Sequence, residues 1–261
     1  MKALGANGLS LSLGGAPILD AVSATFQPGR ITAVLGPNGA GKSSLMACLA
    51  GLRRPDSGTV TLGGMARETI NRRALARQIG YLPQNRDVHW DVDVATLVAL
   101  GRFPHQGRWG ENAADRAATA RAMAMTNSAH LAARAVSTLS GGEQARVLLA
   151  RVLAGEPAWL LIDEPFASLD PAHQLAGLDC LCQVARAGAG VVVILHDLNQ
   201  ALRMADEVLL MAGGRVVAQG TPGKVLTPAL IAQVYGVSVH IGTAPDGGAF
   251  LVPMSQSIAQ V

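Results

Sequence analysis

The run Gly36-Pro37-Asn38-Gly39-Ala40-Gly41-Lys42-Ser43 sets the tightest limit on how this chain can fold. It sits between five apolar residues, Ile31–Leu35, and a segment of helical spacing over 42–51 that stops at Gly51 and Pro55. An apolar run bounded by glycines suits a strand buried on both faces of a parallel sheet. Glycines in the loop let successive backbone N–H groups turn inward, and the start of a helix adds partial positive charge. G-x-x-x-x-G-K-[ST] between a strand and a helix is a phosphate-binding loop. Gly36, Pro37, Asn38, Gly39, Ala40, Gly41, Lys42 and Ser43, with the adjacent Ser44, are therefore expected to hold the phosphates of ATP. Lys42 should reach the β- and γ-phosphates, and the Ser43 hydroxyl should bind Mg²⁺.

The rest of the chain supplies what such a loop needs. Residues 9–13 and 22–26 read as antiparallel strands turned at Gly14-Gly15, and 59–62 and Ile79–Leu82 as further strands. From about 94 to 155 the chain is rich in Ala, Arg and Leu, with helical spacing over 94–100, Ala113–Met125 and 143–154. Strand patterns return at 160–162, 191–195 and 208–211, alternating with helices such as 172–187. Strands alternating with helices imply a parallel sheet covered on both faces. In the tail, 237–241 and 249–252 flank Asp246-Gly247-Gly248 and read as a hairpin. Hydrophobic residues make up 49% and charged residues 15%, so a large core is available. A net charge of +3 with no basic block argues against nucleic acid as a partner. Cys48, Cys180 and Cys182 form no disulfide framework and read as reduced structural thiols. No apolar run approaches the roughly 20 residues that span a bilayer. Glycines, asparagine and proline interrupt the first twenty residues, which excludes a signal-peptide core.

Two more segments carry chemistry. Leu160-Leu161-Ile162 ends in Asp163-Glu164-Pro165. Carboxylates at the C-terminal end of a buried strand lie where open α/β sheets bind ligands. Asp163 is expected to hold Mg²⁺ and Glu164 to polarise the attacking water. Consecutive residues point to opposite sides of a strand, so both serve only if the chain turns there, as Pro165 suggests. Leu139-Ser140-Gly141-Gly142-Glu143 precedes a long helical pattern. Ser140 suits an N-cap, and Gly141 and Gly142 allow close approach of backbone to an anion. One nucleotide leaves a second phosphate site without use, so this segment is expected to complete the ATP site of a second copy.

With Gln84, Ser168-Leu169-Asp170 and His196 in this order, the chain resembles the ATP-binding subunits of ABC transporters over roughly residues 4–240. The resemblance implies an α/β fold: a P-loop NTPase (RecA-like) core at 1–87 and 157–240, an antiparallel β subdomain and an inserted α-helical subdomain at about 88–156. A C-terminal hairpin or tail would occupy 241–261. It implies that Gln84 senses Mg²⁺ and contacts a membrane subunit. Ser168, Leu169 and Asp170 would cross a homodimer interface, with Asp170 near the nucleotide, and His196 would contact the γ-phosphate. Catalytic roles then fall to Glu164, His196 and Gln84, metal contacts to Ser43, Gln84 and Asp163, and nucleotide contacts across the pair to Ser140, Gly141 and Gly142.

The chain departs from the family pattern at two places. Leu13 stands where an aromatic residue usually stacks on adenine, and Phe26 shares a face with Val22 and Ala24 and reads as core. Ala145 stands where glutamine is common. Tyr81-Leu82-Pro83-Gln84, Gly101-Arg102-Phe103-Pro104-His105 and Val234-Tyr235-Gly236-Val237 resemble the ATPases that power import of ferric siderophores, haem and vitamin B12. That implies an integral membrane permease and an upstream periplasmic or surface substrate-binding protein as partners. The chain would then lie peripherally on the cytoplasmic face of the cell membrane. Phe103, His105 and Trp109 would be permease contacts, and His89, His105 and His130 read as surface residues without metal spacing. Two other readings stay open: a soluble ATPase of the same family in an assembly or scaffolding role, and a P-loop kinase or switch, against which the signature segment and His196 argue.

Overall fold

The computed structural model of this protein describes residues 2–84, 92–108, 110–165, 170–245 and 247–256. Two antiparallel strands, β1 (Leu4–Leu13) and β2 (Ala16–Phe26), turn at Gly14-Gly15 and lead into β3 (Ile31–Leu35), the glycine-rich loop and α1 (Lys42–Leu49). There follow β4 (Ser57–Leu62), β5 (Met65–Ala66), α2 (Arg72–Gln78) and β6 (Ile79–Leu82). Three helices come next: α3 (Val94–Ala99), α4 (Ala113–Met125) and α5 (Gly141–Ala154). The chain then alternates through β7 (Trp159–Asp163), α6 (Pro171–Arg186), β8 (Gly190–Ile194), α7 (Leu198–Met204), β9 (Glu207–Ala212) and β10 (Arg215–Gly220). It finishes with α8 (Pro222–Val225), α9 (Pro228–Tyr235), β11 (Val237–Thr243) and β12 (Ala249–Gln256).

The central sheet has the order β10-β9-β3-β8-β7-β6. Its strands run parallel except β10, which closes one edge antiparallel to β9. A second sheet, β2-β1-β4-β5, is antiparallel, and β11 and β12 pair as the C-terminal hairpin. The central strands are apolar without alternation because both faces are covered. Leu160, Ile162, Val191, Val193, Val208 and Leu210 join the helices α3 to α7 in one core, while Trp159, Leu161, Val192, Ile194, Leu209 and Met211 join α1 and the antiparallel sheet in another. The phosphate loop is held between these two cores at the C-terminal end of β3.

The predicted strand at 9–13 begins earlier, at Leu4, through Gly5, Asn7 and Gly8. Pairing with β2 and β4 carries Gly5 and Asn7 in the strand, while Gly8, with φ 60°, sits at a break in the register of both ladders. Phe26, Val22 and Ala24 are buried together, as their shared face implied. The sequence patterns do not single out α2, β10 or α7 to α9, which are short. In the helical region Arg102 is buried and spans three partners. Its Nε donates to Asp115 Oδ1 at 2.9 Å, and Nη1 donates to Ala154 O at 2.9 Å and Glu156 Oε2 at 3.0 Å. This guanidinium and the Asn112 cap hold the Asp115 carboxyl below the usual range. It ties the start of α4 to the end of α5. His105 is not a surface residue: it is half-buried, with Nε2 2.9 Å from Gly155 O. His130 is exposed, and His89 lies outside the described residues. The hairpin docks on α7, where the Asn199 side chain donates to Leu251 O at 3.1 Å and accepts from Leu251 N at 2.7 Å. Among the described residues no helix is long and apolar enough to cross a membrane.

Candidate active site

The glycine-rich loop leaves β3 at Gly36 with φ 148°, a value that strains any side chain. A Cβ there would sit 2.1 Å from Met211 O, so only glycine lets the loop pass β9. At Gly41, φ is 92° and a Cβ would meet Ile18 O at 2.7 Å. Lys42 opens α1 and is 6% exposed. Its ammonium donates to Gly36 O at 2.7 Å and Pro37 O at 2.9 Å. Burial pulls its pKa below the usual lysine range, against the pull of Glu164 and Asp163. Both acceptors are carbonyls of the loop itself, so the amine is held over the loop.

Asp163 ends β7, 2% exposed. Burial raises its carboxyl above the usual range, partly offset by a hydrogen bond from Ser43 and by Lys42. Its Oδ1 is buried and takes no hydrogen bond. Such an oxygen next to a serine hydroxyl fits a hard divalent cation, which prefers oxygen ligands and a negative charge. Glu164 breaks the strand. Its φ is 49°, the left-handed region, so the strand's alternation stops there; both carboxylates act on the Lys42 ammonium, and Glu164, not Asp163, lines the cleft. A non-glycine residue held there costs about 1–3 kcal/mol and persists only where its surroundings enforce it. Here Gln84 Nε2 donates to Glu164 Oε2 at 2.6 Å, and His196 Nε2 contacts Glu164 Oε1. Thus β6, β7 and β8 each deliver one of these three side chains from their C-terminal ends.

A cleft of about 490 Å³ is lined by Asn38, Gly39, Ala40, Gly41, Lys42, Ser43 and Ser44 along its floor, and by Gln84, Glu164 and His196 on one wall. The volume suits a nucleotide-sized ligand. Leu13 and Ile18 form the opposite, apolar edge. Leu13 was expected there; Ile18, on a strand of mixed polarity, carried no signal. Gly36 and Pro37 lie behind the lysine rather than on the lining. Sequence reasoning also missed Tyr235 of α9, whose hydroxyl meets the backbone of Gly36 and is pushed up to about 12 by burial.

Ser140, Gly141, Gly142 and Asp170 do not line this cleft. Ser140 caps α5 through a capping box with Glu143 and is exposed, as is Gly141. Asp170 caps α6, accepting from His173 N at 3.0 Å, and its other oxygen pairs with the His173 ring at 2.5 Å. Ser168 and Leu169 lie outside the described residues. Ala145 is buried and lines a cavity of about 90 Å³ between α4, α5 and α6. Phe103, 73% exposed, rims a groove of about 650 Å³ with Arg72, Arg73 and Arg108. Trp109 lies outside the described residues.

A family profile described as ABC transporter matches residues 19–167. A hemin import ATP-binding protein of Bordetella parapertussis is 43% identical over 251 residues, covering 93% of this chain and 95% of that protein. A cobalamin import ATP-binding protein of Halobacterium salinarum is 43% identical over 250 residues, covering 95% of this chain and 63% of the longer relative. Among solved structures, a chain of a transporter described as metal-chelate type, in an inward-facing conformation, superimposes with a TM-score of 0.84 at 26% identity. The match covers 99% of this chain and all of that one.

Proposed function

The chain belongs to the ABC transporter family, and on that premise we propose that it is the ATP-hydrolysing subunit of an importer for haem, a ferric siderophore or cobalamin. The observation that carries the chemistry is the left-handed Glu164, turned into the same cleft as Lys42 and the phosphate loop. The relatives named for hemin and cobalamin import support the cargo class.

Loop N–H groups and the start of α1 cradle the β- and γ-phosphates of ATP, and Lys42 exchanges its hold on Gly36 O and Pro37 O for phosphate oxygens. Ser43, Asp163 and Gln84 would hold Mg²⁺, which supplies neutralisation of phosphate charge. Glu164 takes a proton from the attacking water as general base. Gln84 and His196 orient Glu164, and His196 lies on the wall that the γ-phosphate would face. Ser140, Gly141 and Gly142 serve the cleft of a second copy; their place outside this cleft, with Ser140 and Gly141 exposed, supports that role. Two copies closing on ATP move the Gln84 region and with it an integral membrane permease, fed by a substrate-binding protein outside the membrane. The groove beside the exposed Phe103 is the permease contact on this side, and the chain sits on the cytoplasmic face of the membrane. Differential affinity of ATP for the open and closed pair drives the change.

The test is reconstitution of the chain with its permease in vesicles, with haem, a ferric siderophore and cobalamin offered in parallel. Mg²⁺-dependent ATP hydrolysis coupled to uptake of one of them is expected. Absence of Mg²⁺-dependent hydrolysis would remove the catalytic reading, and hydrolysis without a permease partner would favour the assembly or scaffolding role.

A further inference from the structure

Nine residues upstream of Glu143 stands Arg134, a side chain that no nucleotide-binding motif includes. Its Nη1 donates to Glu143 Oε1 at 2.8 Å and its Nη2 to Thr138 O at 2.7 Å. The other carboxylate oxygen of Glu143 accepts from Ser140 N at 2.8 Å and from the Ser140 hydroxyl at 3.0 Å. Arg134, Glu143 and Ser140 therefore form one chain of charge-assisted hydrogen bonds at the tip of α5.

That arrangement poses a problem for the role given to this tip. A carboxylate in the first turn stabilises a helix and caps it. The same charge repels a phosphate approaching Ser140, and a bare carboxylate is a strong acceptor that keeps the serine proton for itself. Backbone and hydroxyl hydrogen bonds from Ser140, with the Arg134 charge beside them, hold the Glu143 carboxyl below its usual range, so it is ionised at neutral pH. A guanidinium on its far oxygen withdraws part of that charge and leaves the Ser140 hydroxyl able to turn outward. We propose that Arg134 is a positioning residue for the nucleotide site: it neutralises Glu143 so that Ser140 and the tip of α5 can receive the γ-phosphate held by a second copy. The inference rests on the two-copy reading above.

The experiment compares R134M in two backgrounds, native and E143Q. With the permease present, R134M should raise the KM for ATP about tenfold with kcat nearly unchanged, the size expected for one partly screened like charge near the phosphate. In the E143Q background the same substitution should raise KM less than about twofold. Added salt should shrink the penalty in the native background only. In an E164Q background, R134M should raise the ATP concentration needed for pairing, read by light scattering, by a similar factor, while ATP binding by the isolated subunit stays unmoved. Equal losses in both backgrounds would mean that Arg134 serves the fold alone and would overturn the proposal, as would no loss at all. If E164Q does not pair with ATP under any condition, the two-copy reading fails and this inference falls with it. If E164Q pairs and R134M is indifferent, only the inference fails.

Discussion

The apolar edge of the cleft makes a quantitative claim about how the base of ATP is held. Leu13 and Ile18 meet the nucleotide site where stacking by an aromatic ring is usual in this family, and neither offers a π-face. Replacing Leu13 by Tyr would add base stacking worth about 1–3 kcal/mol. Leu13 is half-buried, so losing its own contact costs up to about 1 kcal/mol. Taking the middle of the stacking range, about 2 kcal/mol, against the full loss leaves a net gain of about 1 kcal/mol, a fall in ATP Kd of about fivefold. Equilibrium binding to the purified subunit reads this directly, and inorganic triphosphate supplies the control, because it lacks a base and should bind both forms alike. The native chain should also discriminate weakly among nucleoside triphosphates. An L13Y protein with unchanged ATP affinity, or with equal gains for ATP and triphosphate, would refute the argument that phosphates dominate binding here.

Three further substitutions test the same geometry. Glu164→Gln should cut phosphate release by about 10²–10⁴-fold and leave ATP binding intact, with a stable ATP-bound pair in light scattering; retained turnover would remove Glu164 as the base. Lys42→Met should abolish ATP binding measured by calorimetry. Because burial depresses the Lys42 pKa, the native fold releases that proton before the unfolded chain does. Its contribution is present above pH 10.5 and is lost as pH falls through the depressed value. The stability of the native chain relative to K42M should therefore rise with pH through the alkaline range below 10.5, as urea denaturation at several pH values would show. Gly36→Ala places a carbon 2.1 Å from Met211 O and should destabilise by about 1–3 kcal/mol or more, read from urea midpoints.

The phosphate loop could be read directly because the positions of Gly36, Gly41, Lys42 and Ser43 encode its geometry. The turn at Glu164 was half-legible: Pro165 announced a break, but a φ of 49° is enforced by Gln84 and His196 from other strands. Ile18, Tyr235 and Arg134 were not legible. Ile18 and Tyr235 reach the loop only after distant segments have closed on one another, whereas Arg134 meets Thr138 and Glu143 nearby, through the fold of the turn before α5. His105 shows the opposite error, since its local context is polar and its burial comes from Gly155, fifty residues on. Short elements such as α8, four residues long, leave too few positions for a period to register.

The grip on Glu164 has one more consequence. Gln84 donates to Oε2 and His196 contacts Oε1, so each carboxylate oxygen is tied to a strand other than the one that carries it. The direction of this side chain is thus set by three neighbouring strands at once, and a shift of any one of them would turn it.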